Sequence, residues 1–123
     1  MSAASLVLKK MLEQQTWCVV GSHGRNPICD SLVSKLRSQG KVVHALNPRN
    51  GGLEALKTLS PAPTVINLVV NPQLGLQVVQ EMHDSGVGSM LFVQPGAEFQ
   101  DMERVCADLN IEELYTGCVL IDS

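Results

Sequence analysis

The sequence predicts an α/β protein: a doubly wound, parallel, five-stranded sheet with helices on both faces. Three observations carry this. Short, almost wholly apolar runs recur along the chain, as in strands buried on both sides. Helical repeats of apolar residues stand between them. Most runs end in Gly, Asn, Pro or Gln, the residues of turns that leave a strand and enter a helix.

The elements follow in order. Residues 4–14 form a short helix, with Ala4, Leu8 and Met11 or Leu12 on one face. Residues 17–21, Trp-Cys-Val-Val-Gly, are the first strand. After Ser22-His23-Gly24-Arg25, Asn26 stands as helix cap and Pro27 as first helical residue. Ile28, Leu32 and Leu36 then mark the core face of a helix over 27–39, closed by Gly40. A second strand covers Val42 to Leu46, and the loop Asn47-Pro48-Arg49-Asn50-Gly51-Gly52 ends it. Leu53 to Leu59 is a short helix stopped by Ser60-Pro61-Ala62-Pro63.

The third strand is Thr64 to Val70. Asn71-Pro72 opens a helix with Leu74, Val78 and Met82 at four-residue spacing, and Gly86 ends it. Ser89 to Val93 is the fourth strand, followed by Gln94-Pro95-Gly96. A helix over about 97–109 carries Phe99, Met102, Cys106 and Leu109. Leu114-Tyr115 and Val119-Leu120-Ile121 read as a last strand broken by Gly117. No repeat or linker divides the chain, so residues 1–123 are expected to be one domain.

Composition narrows the function. Hydrophobic residues make up 45% of the chain and charged residues 17%, enough to build a core. The four aromatics, Trp17, Phe92, Phe99 and Tyr115, are too few for a base-stacking platform, so nucleic acid is not an expected partner. No apolar run reaches membrane-spanning length, and Lys9, Lys10 and Glu13 rule out a secretory signal, so no membrane is expected. The expected compartment is the cytoplasm. An organellar presequence stays open, although no Arg occurs before Arg25. Cys18, Cys29, Cys106 and Cys118 have no C-x-x-C spacing, and His23, His44 and His83 are far apart, so reduced thiols and no metal site are expected.

Charge is uneven. Residues 1–60 hold eight basic and three acidic residues, whereas residues 61–123 hold Arg104 against nine acidic ones. A basic half suits an anionic small ligand or an acidic partner, unless the halves interleave in the fold.

Ligands of open parallel sheets bind beyond the carboxyl ends of the strands, at the point where strand order reverses. Four loops leave those ends here: Gly21-Ser22-His23-Gly24-Arg25-Asn26, Asn47-Pro48-Arg49, Val70-Asn71-Pro72 and Gln94-Pro95-Gly96. The first enters a helix N-terminus, whose amides and dipole favour a phosphate. A small nucleotide ligand is therefore expected. The fingerprint G-x-G-x-x-G is absent, and no Asp or Glu occurs between Asp30 and Glu54 to hold an NAD ribose. Arg49 in that place suits a ribose-linked phosphate, as in NADP or the 3′-phosphate of coenzyme A.

These motifs resemble the CoA-binding domain family, as in the α subunit of succinyl-CoA synthetase and in small stand-alone proteins of the same Rossmann-like fold. The resemblance covers about residues 15–121. It rests on Gly21-Ser22-His23-Gly24 against G-S-x-G and on Asn47-Pro48-Arg49 against N-P-K. Val69-Val70-Asn71-Pro72 stands against V-P-A-P, and Gln94-Pro95-Gly96 against Q-x-G. Gly117-Cys118 replaces the R-C or N-C found near the end. The resemblance implies binding of coenzyme A or an acyl-CoA. Gly21 to Gly24 would hold the pyrophosphate, Arg25 and Arg49 the adenosine-side phosphates, Val70 and Pro72 an apolar wall, and Gln94 to Gly96 the pantetheine arm. The synthetase's phosphorylated histidine lies in a second domain outside the resemblance, so ligase chemistry does not carry over.

No catalytic constellation is expected. Ser22 and His23 are adjacent, but no Asp is placed by sequence to orient the imidazole. The alternative reading is an NADP-type or other nucleotide-binding oxidoreductase or regulatory domain. A third is an interaction protein, and assembly with itself or a partner protein stays open. Cys29, in the first turn of the second helix, is expected to be a buried, inert cysteine; its position off the marked core face leaves as the alternative a partly exposed thiol open to oxidation.

Overall fold

The computed structural model describes residues 2–123; Met1, included in the expected domain, lies outside the described residues. Among the described residues a five-stranded, all-parallel sheet has the order β2-β1-β3-β4-β5. The strands are β1 (Thr16–Gly21), β2 (Val42–Leu46), β3 (Val65–Val69), β4 (Met90–Val93) and β5 (Glu113–Thr116). The helices are α1 (Ala3–Leu12), α2 (Pro27–Ser38), α3 (Pro72–Ser85), α4 (Met102–Asp108) and α5 (Val119–Asp122), with a 3-10 turn at Leu53–Thr58.

The helices divide between the two faces. Trp17 and Val19 of β1, with Val65, Met90 and Phe92, pack against α1, α2 and α5 through Met11, Leu32, Leu36 and Val119. Cys18 and Val20, with Ile66, Leu68, Leu91 and Val93, pack against α3, α4 and the 3-10 turn through Val78, Met82, Cys106 and Leu56. Successive strand residues serve opposite faces, so runs buried on both sides must be apolar throughout. On the first face Trp17, Phe92 and Tyr115 form a chain of tilted rings, with centroids 5.8 and 5.1 Å apart.

Three details differ from the sequence reading. Ile28 is 50% exposed, and Cys29, at 0%, takes its place beside Leu32, Val33 and Leu36. Four residues turn a helix by about 400°, so a strict i+4 row drifts about 40° per step and leaves the core, whereas 29-32-33-36 stays on it. Helix α4 begins at Met102 rather than near 97, because Asp101 sits in the left-handed region with φ 57°. Val119-Leu120-Ile121 is the helical turn α5 and not strand. The Asp122 carboxylate accepts from Cys118 N at 2.9 Å, and Gln94 Oε1 accepts from Val119 N at 2.9 Å, closing the turn from both sides.

The charge halves do not interleave across the sheet. The first sixty residues supply β2 and β1, and the remainder supply β3, β4 and β5. Helix α1 is the exception: it reaches β5, where Lys10 Nζ lies 3.1 Å from Glu112 and 3.2 Å from Glu113.

One polar residue breaks the apolar rule. Asn67, fully buried in the middle of β3, has no hydrogen-bond partner for either side-chain amide atom. Its register partners are Val19 and Phe92. An unpaired buried amide costs about 1–3 kcal/mol, so Asn67→Leu should raise stability by a like amount. Urea unfolding reads this as a higher midpoint; a lower one would contradict the assignment of Asn67 as unpaired.

Candidate functional site

Strand β1 leads to β2 on one side, while the chain after β3 moves away to β4 on the other. The connections diverge: α2 lies on one face and α3 on the opposite one. A crevice therefore opens beyond the carboxyl ends of β1 and β3, the position where open α/β sheets bind ligands. The structure has a cleft of about 370 Å³ at this place, within the range of small-molecule sites.

All four predicted loops reach it. Ser22 comes from the first loop, Asn47, Pro48 and Arg49 from the second. Val70 and Asn71 come from the third, Pro95 and Gly96 from the fourth. Asn26, the last residue of the first loop and the cap of α2, lines the cleft as well, as do Val69, Leu74 and Ala97. Leu74 sits in the first turn of α3, where its four-residue spacing with Val78 and Met82 marks a core face rather than the cleft.

The remaining predicted residues do not line it. Gly21 is buried behind the cleft, where a Cβ would overlap Cys29 Sγ and meet Val69 O at 3.0 Å. Its role is close packing of α2 on β1. The His23 ring turns back to the sheet, with Nε2 2.7 Å from the Val19 carbonyl. Gly24 and Arg25 are exposed beside the cleft, and Gly24 takes φ +84°, a conformation a side chain would strain. Pro72 is exposed on the first turn of α3. The Gln94 side chain is 3% exposed and faces α5, donating to Cys118 Sγ as well as accepting from Val119 N.

The amides of the first loop are largely engaged. His23 N donates to Gly21 O, and Arg25 N and Asn26 N both donate to Ser22 O. Gly24 N donates to Asp30 Oδ1 at 3.3 Å. The backbone cradle expected over Gly21 to Gly24 is therefore occupied by the loop's own turns.

What the cleft does present is a set of donors. Asn26 Oδ1 accepts from Ile28 N at 3.0 Å, Asn47 Oδ1 from Arg49 N at 3.1 Å, and Asn71 Oδ1 from Leu74 N at 2.9 Å. Each carbonyl is thus turned to its own backbone, and each side chain keeps an NH₂ group as its second polar atom. Asn47 spends its NH₂ on His23 O, at 3.5 Å. Asn26 and Asn71 cap α2 and α3, so two helix N-termini meet at the cleft and favour negative charge. Among the described lining residues, Arg49 carries the charge, and no carboxylate opposes it. Val69, Val70 and Leu74 give the cleft its apolar side.

Fold and cleft together define a doubly wound α/β protein with an anion-receptive crevice at its switch point. The family model described as CoA binding domain matches residues 15–123, and the chain belongs to that family. Comparison with curated proteins gives no match. Among solved structures, a hypothetical protein from Pyrococcus horikoshii OT3 superimposes with a TM-score of 0.81 at 15% identity, over 96% of this chain and 88% of its own. A conserved hypothetical protein from Pyrococcus furiosus gives 0.73 at 27% identity, over 89% of this chain and 99% of its own. Prb, a protein redesigned for binding, gives 0.78 at 14% identity, over 99% and 90%. Among the described residues no helix is long and apolar enough to cross a membrane.

The thiols are not part of the cleft. Burial pushes Cys18 up to about 12 and Cys106 up to about 11. Burial also raises Cys29, against a smaller lowering by the Ser22 backbone. Cys29 is thus a packed thiol, as the buried reading expects, without the partial exposure that its position beside the Ile28 row had left open; Cys118 is the cysteine with partial exposure. Alkylation proceeds through an accessible thiolate. Iodoacetamide on the native protein should therefore modify Cys118 first and leave the other three until unfolding. Labelling of Cys29 at the rate of Cys118 would contradict this packing.

Proposed function

We propose that the crevice binds coenzyme A or an acyl-CoA. The observation that carries this reading is the donor set: Ser22, the Asn26 and Asn71 amides, two helix N-termini and Arg49, with no carboxylate among the described lining residues. Membership in the CoA binding domain family supports the same ligand class. In this reading Ser22 and the helix starts take the pyrophosphate, and Arg49 takes the 3′-phosphate of the adenosine. Val69, Val70 and Leu74 form the wall for adenine or the start of pantetheine, and Pro95-Gly96 borders the arm. Arg25, exposed on the neighbouring loop, adds positive potential without lining the cleft.

The end of β2 separates this ligand from NAD. It reads Leu46-Asn47-Pro48-Arg49, with a guanidinium where a ribose-binding carboxylate would stand. The same Arg49 suits the ribose phosphate of NADP, which is the second reading. Calorimetric titration with CoA, NADP and NAD tests both. Binding of CoA alone is expected; binding of NADP alone would replace the first reading by the second, and silence with all three would remove both.

Arg49→Glu sharpens the test. A charge-assisted hydrogen bond contributes about 1.5–3 kcal/mol, so the variant should bind CoA at least about tenfold more weakly. Dephospho-CoA lacks the 3′-phosphate and should lose little. Equal loss for the two ligands would contradict the placement of that phosphate at Arg49.

A further inference from the structure

We propose that His23 and Asp30 form a proton-operated latch that sets the shape of the first crevice loop and, through it, the affinity of the site for a phosphate-bearing ligand. The inference rests on the reading of the crevice given above. His23 enters it not as a ligand contact but as a positioning residue.

The geometry fixes one proton on the ring. His23 Nε2 lies 2.7 Å from the Val19 carbonyl oxygen. A carbonyl only accepts, so Nε2 is the donor. The other nitrogen, Nδ1, is buried and has no hydrogen-bond partner. The atom facing it is Asp30 Oδ1, 3.7 Å away. With the ring neutral, a lone pair faces a carboxylate: two acceptors and no hydrogen between them. A second proton, on Nδ1, turns the same contact into a charge-assisted donor–acceptor pair. Histidine is the side chain whose charge ordinarily changes between about pH 5 and 8.

The pair is wired to the loop. The same Asp30 oxygen accepts from Gly24 N at 3.3 Å. The His23 carbonyl accepts from Asn47 Nδ2 at 3.5 Å, joining the first loop to the loop that carries Arg49. Ser22 and Asn26, which flank residues 23–25, both line the crevice. Movement of the 23–25 turn therefore moves two lining residues directly and a third through Asn47.

The charges around the ring come from each neighbouring element. Helix α2 contributes Asp30, and its Cys29 thiol is turned to Gly21 instead. The ring's own loop carries the exposed Arg25, and the loop after β2 carries Arg49 on the cleft lining, which the ring itself does not join. Strand β1 contributes only the Val19 carbonyl. Asp30 is thus the acidic partner available to a charged ring. A proton on His23 both tightens the turn and adds a positive charge behind the phosphate position, so affinity should fall as pH rises.

Two measurements on the full chain test this. The first follows the ring ¹⁵N shifts of His23 and the Gly24 amide by NMR, without ligand, in wild type and Asp30→Asn. The Gly24 amide should move with the ring's titration in wild type and cease to follow it in the variant. The second is titration with CoA from about pH 5.5 to 8 in wild type, Asp30→Asn and His23→Gln. The ligand's own phosphate titrates in this range, so the readout is wild type relative to the variants. Wild type should lose at least about threefold more affinity over the range than either variant. Asp30 is half exposed, so its variant is the one least exposed to folding failure. A Gly24 amide indifferent to the ring, or parallel pH profiles in all three proteins, would overturn the latch. If CoA binds none of them while the amide follows the ring, the ligand reading fails and the proton-linked loop stands.

Discussion

Strands β1 and β3 lie side by side, yet the chain leaves them toward opposite faces of the sheet. No connection can then cover the space beyond their carboxyl ends. That topological constraint produces the crevice and aims two helix N-termini at it. It also decides the chemistry, because the residues nearest to hand are caps. Asparagine caps use their carbonyl oxygens on the backbone, which leaves NH₂ groups as what they can offer a ligand. A site built this way is biased toward anions before any charged side chain is considered.

Arg49 adds the charge, and its placement is also local. The Asn47 side chain accepts from the Arg49 amide, forming a turn at the end of β2, and donates to the His23 carbonyl across the crevice mouth. One asparagine thereby sets the path of two loops. The sheet order places the basic half of the chain, β2 and β1, on one side of the crevice and the acidic half on the other. The positive potential that a phosphate would meet is consequently concentrated on the side that holds Arg25 and Arg49.

The strands were legible because a parallel strand buried on both faces leaves a continuous apolar run, and such runs stand out against 17% charged residues. The four loops were legible for the complementary reason, their Gly, Pro and Asn. Three-dimensional packing decided the rest. Nothing in the sequence reveals that the His23 ring folds back to Val19, or that Gln94 turns to hold α5. Gly21 looked like a phosphate-loop glycine, but the space beside it belongs to Cys29. The 119–121 run is too short for its period to separate strand from helix, and a capping carboxylate at Asp122 settles it. Ile28 and Cys29 differ by one position on a helix, and only the drift of the i+4 row separates the exposed residue from the buried one.

Coenzyme A is proposed to bind in the switch-point crevice. Amide chemical-shift mapping during a CoA titration tests it most directly. Shifts are expected to concentrate at Ser22, Asn26, Arg49, Asn71 and Gly96, with the opposite sheet edge around Gly86 to Ser89 unmoved. Shifts centred on that opposite edge, or spread without reference to the crevice, would contradict it.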